Sequence, residues 1–214
     1  MLYTNGDYMN PLDFLFPPHC PYCGTLIHAC DMACSSCLPF FPKQPVCKRL
    51  YGYMCVSPFR YDGIFRRAVL RFKFHNSPQY ARQLAAAVAN AVRREYAVNF
   101  DFVTCVPLSA KSQKERGYNQ AALLAKHTAR HLHLPYKATL IKIRENTAQH
   151  SLAKAMRWIN VQGVYALRRK TLLAGKSILL IDDIVTTGNT LRECAHVLEK
   201  SGATVCWATL ASVE

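Results

Sequence analysis

The chain of 214 residues carries 27 Lys and Arg against 13 Asp and Glu, a formal net charge of +14, and half of its residues are hydrophobic (50%). This balance excludes a disordered chain and favours one globular core with a small appendage. The positive charge favours polyanionic partners such as nucleic acid, anionic lipid or phosphorylated small molecules, although a solvated basic surface would give the same count. No apolar run approaches the roughly 18 residues of a spanning helix, so we expect a cytoplasmic protein.

The first informative feature is a pair of Cys-x-x-Cys motifs near the N-terminus. Thiols that stay reduced in the cytosol are frequent metal ligands, and each short turn can aim two thiolates at one tetrahedral ion. Few apolar residues separate the two motifs, so a metal would supply much of the local stability. We predict a structural zinc site, with iron as the open alternative, whose ligands are Cys20, Cys23, Cys34 and Cys37. The nearby residues that could substitute as ligands are Cys30, Cys47, Cys55, His19 and His28.

Residues 39–58 are punctuated by prolines, and we interpret them as a connector. This interpretation divides the chain into a zinc-ribbon domain with its connector, residues 1–58, and an α/β domain, residues 59–214.

The segment from Phe59 to Phe74 interleaves basic and aromatic residues, with apolar residues at helical spacing. Such a helix could bury its apolar stripe and lay its basic face along a single-stranded nucleic acid, with aromatics left for base stacking. A core helix with a solvated charged face explains the pattern equally well. The candidate DNA contacts are Arg60, Arg66, Arg67, Arg71 and Lys73.

An alanine-rich helix is predicted over residues 78–96, followed by a strand over 100–107. The strand ends in the turn Val106-Pro107-Leu108-Ser109. Lys111 follows, and Arg116-Gly117-Tyr118-Asn119-Gln120 then opens a further helix.

Two more strands are predicted, at residues 140–144 and 162–167. The segment between them is polar and carries basic side chains at its ends. Arg144 and Arg157 are the candidates there for contact with an anionic ligand.

The strongest signal lies between Ile178 and Thr190. Four aliphatic residues predict a strand buried on both faces, and Asp182 and Asp183 follow at its carboxyl end, where an open α/β sheet binds its ligand. Adjacent carboxylates are costly there unless hydroxyls or a metal satisfy them. Hydroxyls, backbone N–H groups and one glycine then precede a helix over 191–200, which is phosphate-binding chemistry. A surface acid pair beside a capped helix is the simpler alternative.

This arrangement resembles the 5-phosphoribosyl-1-pyrophosphate (PRPP) signature of the type I phosphoribosyltransferases. The resemblance implies that Asp182 and Asp183 bind the ribose 2- and 3-hydroxyls, with Mg²⁺ on the pyrophosphate oxygens. It also implies a 5-phosphate loop formed by Thr186, Thr187, Gly188, Asn189 and Thr190.

Val-Pro at the end of the earlier strand, and Arg-Gly-Tyr-Asn-Gln opening its helix, narrow the resemblance to the ComF family, the competence-associated branch of this fold. Tyr118 stands where that family has Phe. The resemblance places the segment after Arg144 at the mobile loop that closes over PRPP. It implies a pyrophosphate loop that includes Val106, Pro107 and Leu108, with positive charge from Lys111 and Arg116.

We therefore expect a doubly wound, mainly parallel α/β sheet of the type I phosphoribosyltransferase type, with a small N-terminal zinc ribbon. The expected function is that of a PRPP-binding protein in natural transformation, or DNA uptake, which binds single-stranded DNA in the cytoplasm. Uptake machinery at the inner face of the membrane is a further candidate partner. The alternative is an active phosphoribosyltransferase that transfers ribose 5-phosphate from PRPP to a small-molecule acceptor, which the sequence does not identify.

Overall fold

The structure is a computed structural model that describes residues 17–28, 31–74, 77–109, 113–114, 117–144, 163–168 and 173–213. Within these ranges the strands are β1 (Val46–Leu50), β2 (Tyr53–Ser57), β3 (Phe59–Arg60), β4 (Phe102–Cys105), β5 (Leu140–Lys142), β6 (Tyr165–Leu167), β7 (Ser177–Val185) and β8 (Thr204–Ser212). The helices are α1 (Gly63–Phe74), α2 (Ala81–Glu95), α3 (Gln120–Leu132) and α4 (Asn189–Glu199). Single 3₁₀ turns at Leu38–Phe40 and Pro78–Tyr80 precede β1 and α2. None of the helices in these ranges is long and apolar enough to cross a membrane.

The main sheet has six strands in the order β1-β2-β8-β7-β4, and β3 also pairs with β8. All pairs are parallel except β1 with β2. The centre of β7 is the most buried part, since Ile178 and Ile181 have no exposed surface. This confirms the prediction of a strand covered on both faces, which is why its sequence is a continuous aliphatic run.

Helices cover both faces of the sheet and form two hydrophobic cores. Alternate residues of β7 divide between them, with Leu179 and Ile181 in the core under α1, α2 and α3, and Ile178 and Leu180 in the core under α4. This division follows from the two-residue repeat of a strand. The predicted doubly wound, mainly parallel α/β fold is therefore confirmed.

Residues 46–57, which we interpreted as part of a connector, form the β1–β2 hairpin that extends the sheet beyond β8. Cys55 pairs with Trp207 of β8, and both side chains are fully buried. The prolines of the segment did not prevent this, since Pro45 precedes β1 and Pro58 lies in the break between β2 and β3. The boundary at 58/59 stays a prediction, but the hairpin packs as part of the α/β sheet.

The N-terminal segment is attached to the α/β core by an aromatic cluster. The Tyr22 ring makes edge contacts with Phe41, Phe59 and Phe65 at centroid distances of 5.1, 5.8 and 5.6 Å. Phe59 of β3 also stacks on Phe65 of α1 at 4.1 Å. Each such pair contributes about 0.5–1.5 kcal/mol beyond area burial, so the cluster fixes the segment against β3 and α1.

Candidate functional site

The acid pair lies on β7 itself. The sequence predicts Asp182 and Asp183 at the carboxyl end of the strand. In the structure β7 continues beyond them to Val185, and Asp182 pairs with Thr209 of β8. The neighbouring strand β4 ends at Cys105, which pairs with Ile181. The two carboxylates therefore lie just beyond the end of β4, at the carboxyl edge of the parallel sheet, as predicted.

Lys73 forms an ion pair with this site. Its Nζ lies 2.8 Å from Oδ2 of Asp183, and the two side chains are only 17% and 14% exposed. We had grouped Lys73 with the candidate DNA contacts, because helical periodicity does not show where the last turn of α1 meets the sheet. In the structure Lys73 is the counter-ion of Asp183, while its contact with DNA stays a prediction.

Asp182 is the more strongly perturbed acid. Burial and the negative charge of Asp183 raise the pKa of its carboxyl to about 8, although the backbone N–H of Asp183 and the charge of Lys73 act in the opposite direction. That N–H donates to Asp182 Oδ1 at 2.8 Å. Because the folded form holds the proton more tightly than the unfolded chain, the folded protein loses stability as the pH rises from about 4 to about 8. A hydroxyl donor or cation at the carboxylate would offset this cost.

The predicted phosphate loop follows β7 and is braced by the β1–β2 hairpin. Lys48 Nζ donates to the carbonyls of Thr186 at 3.2 Å and Val213 at 2.7 Å. The Tyr51 hydroxyl donates to Oδ1 of Asn189, so the Asn189 side chain is held by the hairpin. Sequence reasoning missed Lys48 and Tyr51, since only the sheet order brings the hairpin to the loop.

The backbone of Gly188 adopts a left-handed conformation, with φ of +77°, at the start of α4. A Cβ atom there would lie 2.9 Å from Leu50 Cδ1 and 3.4 Å from Trp207 Cζ3. Both the turn and the close approach of the hairpin therefore require glycine.

Gly188→Ala is expected to lower the free energy of unfolding by about 1–3 kcal/mol, because left-handed strain adds to the contact with Leu50. Urea denaturation measures the effect. Gly52→Ala is the matched control, because Gly52 has a φ of +86° and nothing within 4 Å of its Cβ position. Equal losses in the two variants would contradict the steric part of this account.

The predicted pyrophosphate turn is tied to both β7 and α3. The N–H of Val106 donates to the carbonyl of Ile181 at 2.9 Å. The Asn119 side chain accepts from the N–H of Ala122 at 3.0 Å, which caps α3, and donates to the Val106 carbonyl at 3.3 Å. Asn119 therefore fixes the turn relative to the helix. Pro107 and Leu108 are half-buried beside it.

The residues on either side of Asn119 join the start of α3 to the end of α1. Tyr118 donates from its hydroxyl to the Phe72 carbonyl, and Gln120 Nε2 donates to the Lys73 carbonyl at 3.2 Å. Hydrogen bonds from Tyr118, Asn119 and Gln120 therefore hold both the turn after β4 and the backbone of Lys73, the counter-ion of Asp183.

Other predicted contacts lie at the margin of the site or outside the described residues. Arg144 is exposed and follows β5. Strands β5 and β6 pair antiparallel in a second, two-stranded sheet. The predicted contacts outside the described residues are Lys111, Arg116 and Arg157.

The four predicted metal ligands, Cys20, Cys23, Cys34 and Cys37, come together. Their Sγ atoms all lie within 4.8 Å of one another, and those of Cys23 and Cys34 are 3.4 Å apart. Four thiolates around a zinc ion with bonds of about 2.3 Å would lie about 3.8 Å apart. The cluster is therefore compatible with structural zinc.

Among the described residues, the alternative ligands His19, His28, Cys47 and Cys55 are not members of this cluster. Cys47 is on the hairpin, where its thiol contacts Glu95, and Cys55 is buried beside Thr209. Cys30 is outside the described residues.

The chain is similar in sequence to known proteins. A family model described as "Phosphoribosyl transferase domain" matches residues 118–213. "Competence protein F" of Haemophilus influenzae is 29% identical over 86% of this chain and 80% of its own length, and "DNA utilization protein YhgH" of Salmonella typhimurium is 30% identical over 86% and 79%. The chain belongs to the ComF family. Among solved structures, the Bacillus subtilis glutamine PRPP amidotransferase aligns over 65% of this chain and 30% of its own, at 24% identity and a TM-score of 0.41.

The basic face of this ComF-family chain lies on α1, which buries Phe65, Ala68, Val69 and Phe72 as an apolar stripe. The candidate DNA contacts divide into two groups. Arg60, Arg66 and Arg67 are exposed, whereas Arg71 is half-buried and its Nη1 donates to the Pro21 carbonyl at 3.5 Å. The helix therefore has the predicted apolar face and the predicted basic face.

Proposed function

We propose that this ComF-family protein binds PRPP with Mg²⁺ at the acid pair, and single-stranded DNA along the exposed face of α1, during DNA uptake in natural transformation. The observation that carries the first part is the half-buried acid pair with Lys73 as its internal counter-ion, next to a loop that requires Gly188. The names of the two relatives, which refer to competence and to DNA utilization, support a role in DNA uptake. We place the protein in the cytoplasm, because a site of four reduced thiolates suits a reducing compartment.

The acid pair suits the vicinal hydroxyls of a ribose. Each hydroxyl can donate to a carboxylate, which lowers the cost of ionising the half-buried Asp182. The adjacent Thr186 and Thr187 supply hydroxyl groups, and the start of α4 supplies backbone N–H groups for a phosphate. Mg²⁺ prefers oxygen ligands and would be held mainly through the pyrophosphate oxygens.

Isothermal titration calorimetry with PRPP and Mg²⁺ tests this proposal. We expect saturable binding with one PRPP per chain. Ribose 5-phosphate should bind more weakly, because it lacks the pyrophosphate that recruits Mg²⁺. A flat titration with PRPP at millimolar concentration would reject the proposed ligand.

The second part rests on the exposed arginines of α1. Single-strand affinity should fall steeply with salt, and the triple variant Arg60→Ala, Arg66→Ala and Arg67→Ala, which removes the exposed arginines of α1 and of the adjoining β3, should reduce the slope of log K against log salt by about 2, since each phosphate contact contributes about 0.7. Fluorescence anisotropy of a labelled oligonucleotide measures this slope.

A charge-matched control is the triple variant Lys126→Ala, Arg130→Ala and Lys200→Ala. It removes three exposed charges from α3 and the end of α4. The control lowers the net charge by the same amount as the arginine variant. The two triple variants should therefore differ in salt slope only if DNA binds at a local interface on α1. Identical slopes would show that net charge, not α1, governs binding.

Transfer of ribose 5-phosphate to an acceptor is the second candidate function. A cleft of about 530 Å³ opens beside Pro107 and Leu108, between α3 and β5, and gives an acceptor space near the pyrophosphate turn. Release of pyrophosphate from PRPP that depends on an added acceptor would establish turnover.

A further inference from the structure

An exposed aromatic ring lies next to the basic face of α1. Phe40 ends the 3₁₀ turn Leu38–Phe40 and is 66% exposed. Its N–H donates to the carbonyl of the metal-ligand candidate Cys37 at 3.1 Å. The next residue, Phe41, packs into the aromatic cluster, 5.1 Å from Tyr22. The backbone on both sides of Phe40 is therefore anchored, while its ring stays in solvent.

Phe40 borders a groove of about 390 Å³, a size within the range of small-ligand pockets, about 300–1,000 Å³. Pro42 and Pro45 give the groove apolar surface, and Gln44 and Asp62 line it with hydrogen-bonding groups. This mixture of an aromatic face, apolar walls and a few polar groups suits a planar heteroaromatic ring.

The groove opens onto the candidate DNA face. Arg60 of β3 lines it, and Asp62 lies two residues further on, where its carbonyl accepts from the N–H of Arg66 in α1 at 2.8 Å. The carboxylate of Asp62 disfavours a phosphate inside the groove, but it can accept from the amino group of a base. Exposed Arg66 and Arg67 can neutralise phosphates outside the groove.

We infer that this groove receives an unpaired nucleobase of a bound single strand, stacked on Phe40, while Arg60, Arg66 and Arg67 hold the flanking phosphates. The inference rests on the proposed binding of single-stranded DNA and deepens it, because it adds a base subsite to a phosphate track. Stacking needs no particular sequence, since every base has an aromatic face.

Phe40→Ala is expected to weaken binding of a labelled single strand by about 5- to 100-fold. It should leave the slope of log K against log salt unchanged, because no charge is removed. Phe40→Trp should restore affinity, since its ring also stacks. The fluorescence of a 2-aminopurine placed in the strand should be quenched when the wild-type protein binds, and much less when Phe40→Ala binds.

Leu38→Ala is the matched control. Leu38 lies on the same turn and is 46% exposed, but it does not line the groove. Blunt duplex DNA provides a second control. Its bases are already stacked on one another, so wild type and Phe40→Ala should bind the duplex with equal affinity.

Three outcomes separate the hypotheses. If wild type binds single strands but Phe40→Ala matches Leu38→Ala, the base subsite is refuted while the proposed function stands. An equal loss for duplex and single strand would also refute it. If wild type binds no single strand at all, the DNA-binding proposal and the base subsite fail together.

Discussion

The double variant Asp182→Asn and Asp183→Asn is expected to bind PRPP with Mg²⁺ at least about 100-fold more weakly than wild type, and single-stranded DNA with unchanged affinity. Two carboxylate acceptors for the ribose hydroxyls become amides, and charge-assisted hydrogen bonds are roughly twice as strong as neutral ones. The exposed arginines of α1 keep their environment, so the DNA surface is preserved. Calorimetry with PRPP and anisotropy with a labelled strand measure the two affinities.

A control variant comes from the amino ends of β4 and β7, opposite the acid pair. Asp101 Oδ1 pairs with Lys176 Nζ at 2.8 Å, and Asp101 Oδ2 accepts from the N–H of Ser177 at the start of β7. Asp101→Asn therefore also breaks an Asp–Lys pair, here between the residues that precede β4 and β7, at the amino edge of the sheet. It should leave PRPP affinity unchanged. Equal losses in the two variants would mean that the carboxyl edge is not the binding site.

The pH dependence of PRPP affinity gives an independent measurement on the same site. Burial and the charge of Asp183 raise the pKa of Asp182 to about 8, so the carboxylate that should accept a ribose hydroxyl is largely protonated at neutral pH. Affinity should therefore increase as the pH rises towards 8 and level off above it. Asp182→Asn should remove this increase, whereas a pH profile identical to that of wild type would contradict the role of Asp182.

The fold could be predicted because the residue pattern of the central strand, β7, indicates that it is buried on both faces. Ile178 to Ile181 are aliphatic without alternation, which requires cover on both faces, and two acids at the end of such a strand are costly without a ligand. These constraints are local and physical, so they predicted the parallel sheet and the position of the acid pair. The paired cysteines were equally informative, since one metal needs four ligands at one point.

The supports of the site could not be predicted, because they come from contacts between distant segments. A lysine in the last turn of a helix is usually exposed to solvent. Only the packing of α1 against the edge of the sheet brings Lys73 to Asp183. The hairpin residues Lys48 and Tyr51 reach the phosphate loop because β2 pairs with β8. Prolines around residues 46–57 concealed this pairing, since they suggested a connector.

Removal of the metal is expected to unfold the N-terminal ribbon and to leave the α/β sheet folded. Within the described residues the ribbon buries only a few side chains, such as Tyr22 and Ala33, in the hydrophobic core that it shares with α1 and α2. Structural zinc sites supply apparent binding energies of about 10–16 kcal/mol. Burial also raises the pKa of the Cys20 and Cys37 thiols, whereas hydrogen bonds with Thr25 and Cys34 lower the pKa of the Cys23 thiol to about 6. Without a cation, at least the two buried thiols of the cluster are therefore protonated. Metal loss should therefore be promoted by acid as well as by chelators, because protons compete for the thiolates.

Cys37→Ser should reproduce this effect, since Cys37 is a buried member of the cluster. We expect less than one metal ion per chain by elemental analysis, which also identifies zinc or iron, and rapid proteolysis between residues 17 and 42 with a stable core fragment. Cys47→Ser is the control, because Cys47 is exposed on the β1–β2 hairpin and outside the cluster. Since Tyr22 packs on Phe65 of α1 and Arg71 bonds to Pro21, loss of the ribbon should also weaken single-strand binding. A metal-free ribbon that resists proteolysis as well as wild type would show that the aromatic cluster alone holds it.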